Sequence, residues 1–557
     1  MSSRVLESHE TKSWSINASP EAKRIALVVA ISLAAVVPVL VFGVPANRDL
    51  SNHFRFALPF YDAIAAGNFY PSWLAESNGG YGDPSFRFYP PALYYLLAFF
   101  RFATGEWYAA TLLTFATVSI AGGLGIYFWA KSVLTSSQAM WASFIYAFAP
   151  YHLNQLYQAT MLAEWAGSAV LPFVFAFVER VCARGKRSDV AGLAACYALL
   201  VLTHLPLTVI ASLALPVYAL VRMERGRRVQ TLAKLTGAGA LGLCASSIYW
   251  VTMVSEMRWI GINEIEHDAS ADYRFNFLLS TLSPDNLNVW WMNILSLMTL
   301  LLAAPLVLFV RRHVWRDRPE LRPVVVLTAF ALFMATPLSR PIWDLLAPLQ
   351  QTQFPWRWMA VITIGVAVFT TAALPLLNQS AQNGPRIKQL VILGAMGVAV
   401  AFSLSHIVRE AHFLSPHDFD KTLSDVRGSA SVNYWFPIWA SSKTKSMPVA
   451  VEAGDRAVTV QSWTPENRQF TVATGNPVEA RVKTFYYPHW IATSGQQPLH
   501  TRPADNGTLL ISLPPDAVSV DLAFQEPRRS RVSSFASFAG AVFIGFLAVP
   551  FPRRQRR

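Results

Sequence analysis

The feature that most constrains this chain is a series of long runs in which apolar residues follow one another with almost no charge between them. The first, from Arg24 to Val44, is about 20 residues long, enough as a helix to cross the hydrocarbon core of a bilayer. Further runs lie near 108–130, 136–151, 163–182, 188–204, 206–222, 231–254, 286–311, 322–338, 356–377, 387–407 and 533–551. A chain of 557 residues built this way is expected to be a polytopic α-helical membrane protein of about twelve spans. Composition agrees, because only 14% of the residues are charged where soluble domains carry about 25%. Residues 1–23 are polar and no small-residue cleavage site follows the first run, so that run reads as a retained span.

The net charge of +13 would suggest nucleic acid in a soluble protein. Here the basic residues cluster between apolar runs instead, at Lys131, Arg180/Arg184/Lys186/Arg187 and Arg222/Arg225/Arg227/Arg228. Arg311/Arg312/Arg316/Arg318/Arg322, Arg386/Lys388 and Arg553/Arg554/Arg556/Arg557 continue the pattern. Twelve spans with both termini cytoplasmic put every cluster on one side, as the positive-inside rule requires, and exclude a nucleic-acid partner. Phe88–Phe102 is apolar but short and opened by prolines, the pattern of a juxtamembrane or re-entrant helix. Cys182, Cys196 and Cys244 lie in or beside apolar runs without metal-type spacing, which excludes a disulfide framework or zinc knuckle.

Three stretches then face the other side. They are 46–107, rich in aromatics; 255–285, with Glu256, Glu264, Glu266, Asp268, Asp272 and Asp285; and the domain-sized 411–530. The last changes character. Its short β-type runs at Ala457–Ser462, Gln469–Ala473, Val478–Tyr487, Thr508–Leu513 and Ala517–Phe524 are separated by Gly, Pro and Asn turns. They predict a small extracytoplasmic β-sandwich or jelly-roll before the last span. The expected order is a cytoplasmic tail (1–23), a membrane domain (24–410), the β-domain (411–530), then a final span and basic tail (531–557).

The first external loop carries the densest chemistry. Asp49 and His53 are one turn apart if a helix continues from Asp49, and so share a face. With Arg55 they would place a carboxylate, an imidazole and a guanidinium at the membrane surface. Such a group suits a reaction in which an acceptor hydroxyl loses a proton while a phosphate leaves. The plainer alternative is that Asp49 caps the helix and the other two face lipid headgroups.

The text RDLSNHFRF, GNFYPSW and GGYGDPSFRFYPPALYYL resembles the opening of C-type (GT-C) membrane glycosyltransferases. It is most similar to a bacterial group labelled 6-pyruvoyl-tetrahydropterin synthase-related membrane protein, a label that carries no pterin chemistry here. APYHLNQLYQATMLAEW, LTHLPL and QFPWRW match the same group and supply Glu164, His204 and Arg357. TFYYPHWIATSGQQPL resembles its β-domain motif, with His489 where a glycine is common. The resemblance implies a GT-C-like membrane domain, an Asp49 base and a polyprenyl-phosphate sugar as donor. The acceptor would be a saccharide, a lipid or a protein at the outer face of the bacterial cytoplasmic membrane. Donor-phosphate and substrate contacts would come from His53, Arg55, Arg357, Glu164, His204 and Tyr89. Each of these has a structural alternative as an interfacial anchor or a helix-packing hydrogen bond, but ionisable groups near apolar spans tend to face a cavity or a partner.

A divalent cation could bind Glu264, Glu266, His267 and Asp268, although their spacing fits no standard loop and a solvated linker explains them as well. Trp259, Tyr273, Trp290 and Trp291 could stack sugars or form an aromatic belt, and Asp83 reads as a turn residue. No Gly-rich phosphate loop follows a predicted strand, which argues against a nucleotide-sugar donor. Two rival functions remain: a flippase or transporter for lipid-linked saccharide, and a non-catalytic envelope-assembly protein.

Overall fold

The computed structural model describes residues 19–261, 272–279, 290–301, 318–383, 386–428, 436–440 and 446–549. Most of the 1–23 tail, Arg311, Arg312, Arg316 and the closing arginines lie outside the described residues, as do Glu264, Glu266, His267, Asp268 and Asp285.

The predicted apolar runs are mostly helical where they are described. Five helices are long and apolar enough to cross a membrane, at Trp107–Ala130, Leu162–Ala183, Leu205–Arg222, Pro355–Ala373 and Arg528–Ala548. Two bent pairs raise the number among the described residues to seven, fewer than the twelve expected. Breaks account for much of the difference. The run 136–151 stops at Ala147 and restarts as Pro150–Tyr157, with a proline at its first turn. The run 231–254 turns by 75° where Ala245 meets Ser247. Ala92–Thr104 has 13 residues, about 20 Å of helix, short of the roughly 30 Å of hydrocarbon, in keeping with a juxtamembrane or re-entrant element.

Small residues let the central helices approach. Gly123 of Trp107–Ala130 faces Ser32 of the first helix, Pro20–Ala34, and a Cβ there would lie 2.0 Å from Ser32 Oγ. Close backbone contact of this kind is how helices associate where lipid removes the hydrophobic drive between them.

The β-domain is a sandwich of two antiparallel sheets. One holds β3 (Val451–Glu452), β6 (Val478–Phe485), β10 (Thr508–Leu513) and β9 (Thr501–Pro503), in that order. The other runs β4 (Val458–Trp463), β5 (Asn467–Val472), β11 (Val518–Phe524), β7 (Trp490–Ser494), β8 (Gln497–Leu499). Alternate residues point inward, so that Phe470, Val472, Val482, Leu509, Ile511, Val520 and Leu522 are buried between the sheets. Five strands fall where the sequence predicts them, and the short β3, β7, β8 and β9 do not.

The segment that follows 411 pairs with the N-terminal part of the chain. Phe413–Leu414 (β2) pairs with Val44–Pro45 (β1), and the helix Pro416–Gly428 packs on the helix Leu50–Ala65 through Phe419 and Phe54, whose rings are 5.2 Å apart. This stretch belongs to the membrane-proximal body; the sandwich begins near 446.

Its core in turn takes two residues from the first external loop. Trp73 is fully buried against Trp490 and Phe524, with ring centroids 5.7 and 5.3 Å away. Gly82 sits against its ring at φ +88°, where a Cβ would come within 2.3 Å of it. The Tyr81 carbonyl accepts from Phe485 N at 2.7 Å, and its hydroxyl accepts from Met447 N at 2.8 Å. Loop and sandwich therefore fold as one unit. Trp73→Ala should destabilise the protein by about 3–5 kcal/mol, read as a fall in the thermal unfolding midpoint in lipid nanodiscs; an unchanged midpoint would show that the loop is dispensable to the sandwich.

Candidate active site

The site is built where the first external loop meets the start of Leu162–Ala183. Asn47 Nδ2 donates to the Tyr157 carbonyl at 3.0 Å. Asp49 N donates to Thr160 Oγ1 at 3.0 Å, and that hydroxyl donates to the Asn47 carbonyl at 2.7 Å. Thr160 sits at φ +48°, a conformation that a β-branched residue adopts only when its surroundings impose it. Helix Leu50–Ala65 starts immediately after, with Asp49 at its N-cap position, but the carboxylate makes no capping bond to the helix backbone. It accepts instead from Asn52 Nδ2 at 3.3 Å. Burial pushes the Asp49 carboxyl above its ordinary value, against that bond and the charges of Arg357 and Arg48; nearby Glu164 raises it further. A carboxylate held this way is a better base than a free one.

His53 is one turn on and buried. Leu162 N donates to its Nε2 at 3.1 Å, so the neutral ring carries its proton on Nδ1, 3.0 Å from the Tyr94 hydroxyl. Tyr94 is hydrogen-bonded in turn to Tyr89, which stacks on Phe56 and lies within reach of the Asp49, Arg357 and Glu164 charges. Burial pushes His53 down to about 4. Both ring nitrogens thus hold protein groups, and His53 acts as a strut between the loop and the helix beginning at Leu162.

Glu164 and Arg357 form a buried pair, with Arg357 Nε 2.8 Å from Glu164 Oε2. Gln155 Nε2 donates to the other carboxylate oxygen at 2.9 Å, and the Tyr151 hydroxyl donates to it as well. Arg357 also donates to the Thr352 carbonyl, and its guanidinium lies 4.7 Å from the Phe354 ring centroid. Glu164 is therefore a fixed anchor for Arg357, placed behind the guanidinium. His204 occupies the break between Arg187–Thr203 and Leu205–Arg222, where its Nδ1 accepts from Leu207 N at 3.3 Å, within electrostatic reach of Arg357 and His53.

Asp49, His53, Tyr89, Glu164, His204 and Arg357 thus meet in one cluster. Arg55 does not join it. It is turned around the helix, donates to Asn52 Oδ1 at 3.1 Å, and lines a different cleft with Asp62, Glu76 and Arg427. Arg48, which the sequence reading does not single out, is the arginine next to Asp49 in the chain. It is exposed, acts electrostatically on Asp49, and lines a cleft of about 220 Å³ with Gln155, Gln158, Trp291, Phe354 and Trp356. Adjacency to Asp49 was its one signal in the sequence.

Of the four aromatics considered for stacking, Trp291 lines this cleft. Trp259 packs on Tyr487 and His489, Tyr273 stacks on Trp343, and Trp290 is exposed. Asp83 accepts from Ser85 N at 2.6 Å, as a turn residue does. A D-x-D triplet, Asp418-Phe419-Asp420, lies in the helix Pro416–Gly428, with Asp418 bonded to Ser415 and Phe419 buried. Among the described residues no three His, Cys, Asp or Glu side chains come together to hold a metal ion.

A half-buried carboxylate, a paired guanidinium and a polar cleft thus lie together beside the apolar helices. The chain belongs to the 6-pyruvoyl-tetrahydropterin synthase-related membrane protein family, whose family model matches residues 86–413, more than half its length and downstream of Asp49. No curated protein matches the sequence. Among solved structures it is similar to the arabinofuranosyltransferase AftD from Mycobacteria, with 17% identity, TM-score 0.44, and 70% of this chain on 27% of that one. It is also similar to ArnT from Cupriavidus metallidurans bound to undecaprenyl phosphate, with 14% identity, TM-score 0.40, and 73% of this chain on 74% of that one. An oligosaccharyltransferase from Archaeoglobus fulgidus follows, with 12% identity, TM-score 0.43, and 76% on 61%. The chain spans about a quarter of the length of the arabinofuranosyltransferase.

The strut has a measurable signature. The unfolded chain takes up a proton on His53 near pH 6.5, whereas the folded protein resists it down to about 4. Its contribution is intact above pH 6.5 and is lost as pH falls through that window, by about 1.4 kcal/mol per unit. His53→Gln should lose less stability than wild type between pH 7 and pH 4; parallel unfolding curves across that range would contradict the buried neutral imidazole.

Proposed function

We propose that the chain is a glycosyltransferase of the bacterial cytoplasmic membrane, multi-pass, with both termini in the cytoplasm and the β-domain outside. It moves a sugar from a polyprenyl-phosphate donor to a saccharide, lipid or protein acceptor at the outer face. The observation that carries this reading is the convergence on Asp49 of Tyr89, Glu164 and Arg357, from segments far apart in the chain, with His204 behind Arg357. The sequence resemblance to the GT-C group points the same way.

In this mechanism the donor phosphate lies in the cleft beside Arg48, Phe354 and Trp356, with the polyprenyl chain along the helices. The acceptor oxygen attacks the anomeric carbon, the bond from that carbon to the phosphate oxygen breaks, and the phosphate leaves with the bonding pair. Asp49 takes the acceptor proton. Negative charge growing on the phosphate is offset by Arg357 and Arg48, and the Tyr89 hydroxyl is placed to donate to it. Glu164 keeps Arg357 from swinging away, while His53 and His204 hold the loop and the helix break. An inverting outcome is what the resemblance implies.

The test is transfer from a panel of radiolabelled polyprenyl-phosphate monosaccharides to a membrane extract, by purified protein in lipid. Asp49→Asn keeps the shape and removes the base, so transfer should fall by roughly 10²–10⁴-fold. In wild type the rate should decline with acid at a pH above the usual carboxylate value of about 3.9, because the base works only when ionised and its pKa is raised. Transfer that survives in Asp49→Asn would remove the base from this mechanism.

A further inference from the structure

We propose that Asn52 and Arg55 form a positioning pair that holds the Asp49 carboxylate in its reactive orientation. This rests on Asp49 being the base. The carboxylate sits at an N-cap position without a capping bond, so its rotamer is left to its side-chain neighbours. Asn52 Nδ2 donates to Oδ1 at 3.3 Å. An asparagine amide can turn over and present its oxygen, which would repel a carboxylate. Arg55 removes that option. A guanidinium only donates, and its Nη1 lies 3.1 Å from Asn52 Oδ1. With the oxygen engaged by Arg55, the NH2 group must face Asp49.

The spacing 49, 52, 55 builds this pair into the helix. Each step of three residues returns the chain to within about 60° of the same face, so the three side chains follow one another around the helix surface. Arg55 lines a cleft with Asp62 and Arg427, themselves paired at 2.9 Å. The pair therefore reaches from that cleft to Asp49.

A pair that acts through Asp49 is told apart from a substrate contact by the titration of the carboxyl. A donor to the ionised carboxylate favours the charged form, so removing it moves proton uptake by Asp49 to higher pH. Infrared titration of the Asp49 carboxyl band, assigned by its disappearance in Asp49→Asn, reads this without substrate. In Asn52→Ala the band should titrate about one pH unit higher. In the transfer assay, kcat should fall about tenfold while KM for the labelled donor stays within about twofold. Arg55→Leu, which frees the Asn52 amide to turn over, should reproduce both changes; Arg55→Lys, which keeps a donor, should restore most of the rate. Arg55→Leu carries the test if Asn52→Ala does not fold. An unmoved band and an unchanged kcat in Asn52→Ala and Arg55→Leu, with Asp49→Asn inactive, would overturn the pair and leave the base in place. Full activity of Asp49→Asn would remove the base itself, and the pair with it.

Discussion

The structure depends on one buried guanidinium. Arg87 Nε and Nη2 donate to the two oxygens of Glu256 at 2.6 and 2.8 Å, and Nη1 and Nη2 reach Glu526. Glu256 accepts as well from the Tyr487 hydroxyl at 2.7 Å, lies 2.9 Å from His489 Nε2, and takes Arg529 Nη2 at 3.1 Å. These residues come from the first external loop, the end of a membrane helix, the sandwich and the start of the last helix. Charges this far from water persist only when paired and fully hydrogen-bonded, so none of the segments can shift without leaving a buried charge uncompensated. Two residues beyond Arg87 stands Tyr89. The loop that carries Asp49 is thus tied down at both ends, at one end to Tyr157 and Thr160, at the other to Glu256 and Glu526.

Much of this was visible in the sequence for definite reasons. Apolar runs report helices because a segment in lipid must satisfy its own backbone, and β4, β5, β6, β10 and β11 announce themselves through turn residues at each end. The Asp49–His53 pair follows from helical spacing, and Glu164, His204 and Arg357 stand out because ionisable groups are rare beside apolar helices. What stayed hidden depends on tertiary placement. Arg55 shares the helix with Asp49, and the helix's rotation about its axis is set by packing on Phe419 and Trp107, far away in the chain. Glu256 reads as part of a solvated acidic loop, since its partner Arg87 lies 169 residues away. The bend at Ser246 has no proline to signal it, and His489 is explained only by the carboxylate it meets.

The two clefts share a further property. Non-glycine residues at positive φ lie along their edges: Thr160 beside Asp49, Gln353 beside Phe354, and Asn78 in the cleft of Arg55. Such conformations cost about 1–3 kcal/mol each and survive where surrounding bonds outweigh them. Thr160 shows how: its hydroxyl donates to the Asn47 carbonyl and accepts from Asp49 N, so the strained residue fixes the backbone that enters the helix at Asp49.

The completion of the sandwich by Trp73 and Tyr81 also sets an order of events during synthesis. Tyr81 emerges 366 residues before Met447, the partner of its hydroxyl. At roughly 5–20 residues per second, the first loop waits on the order of 20–70 s for the strands it will fill. Through that interval a tryptophan and a tyrosine stand on a loop without the strands that will bury them, while Arg87 gains Glu256 after 169 residues and Glu526 only after 439. The Arg87 end of the loop can therefore be tied fully only after the last β-strand is made, and a ribosome that stalls before Glu526 leaves behind a chain that lacks both this tie and the last helix, Arg528–Ala548.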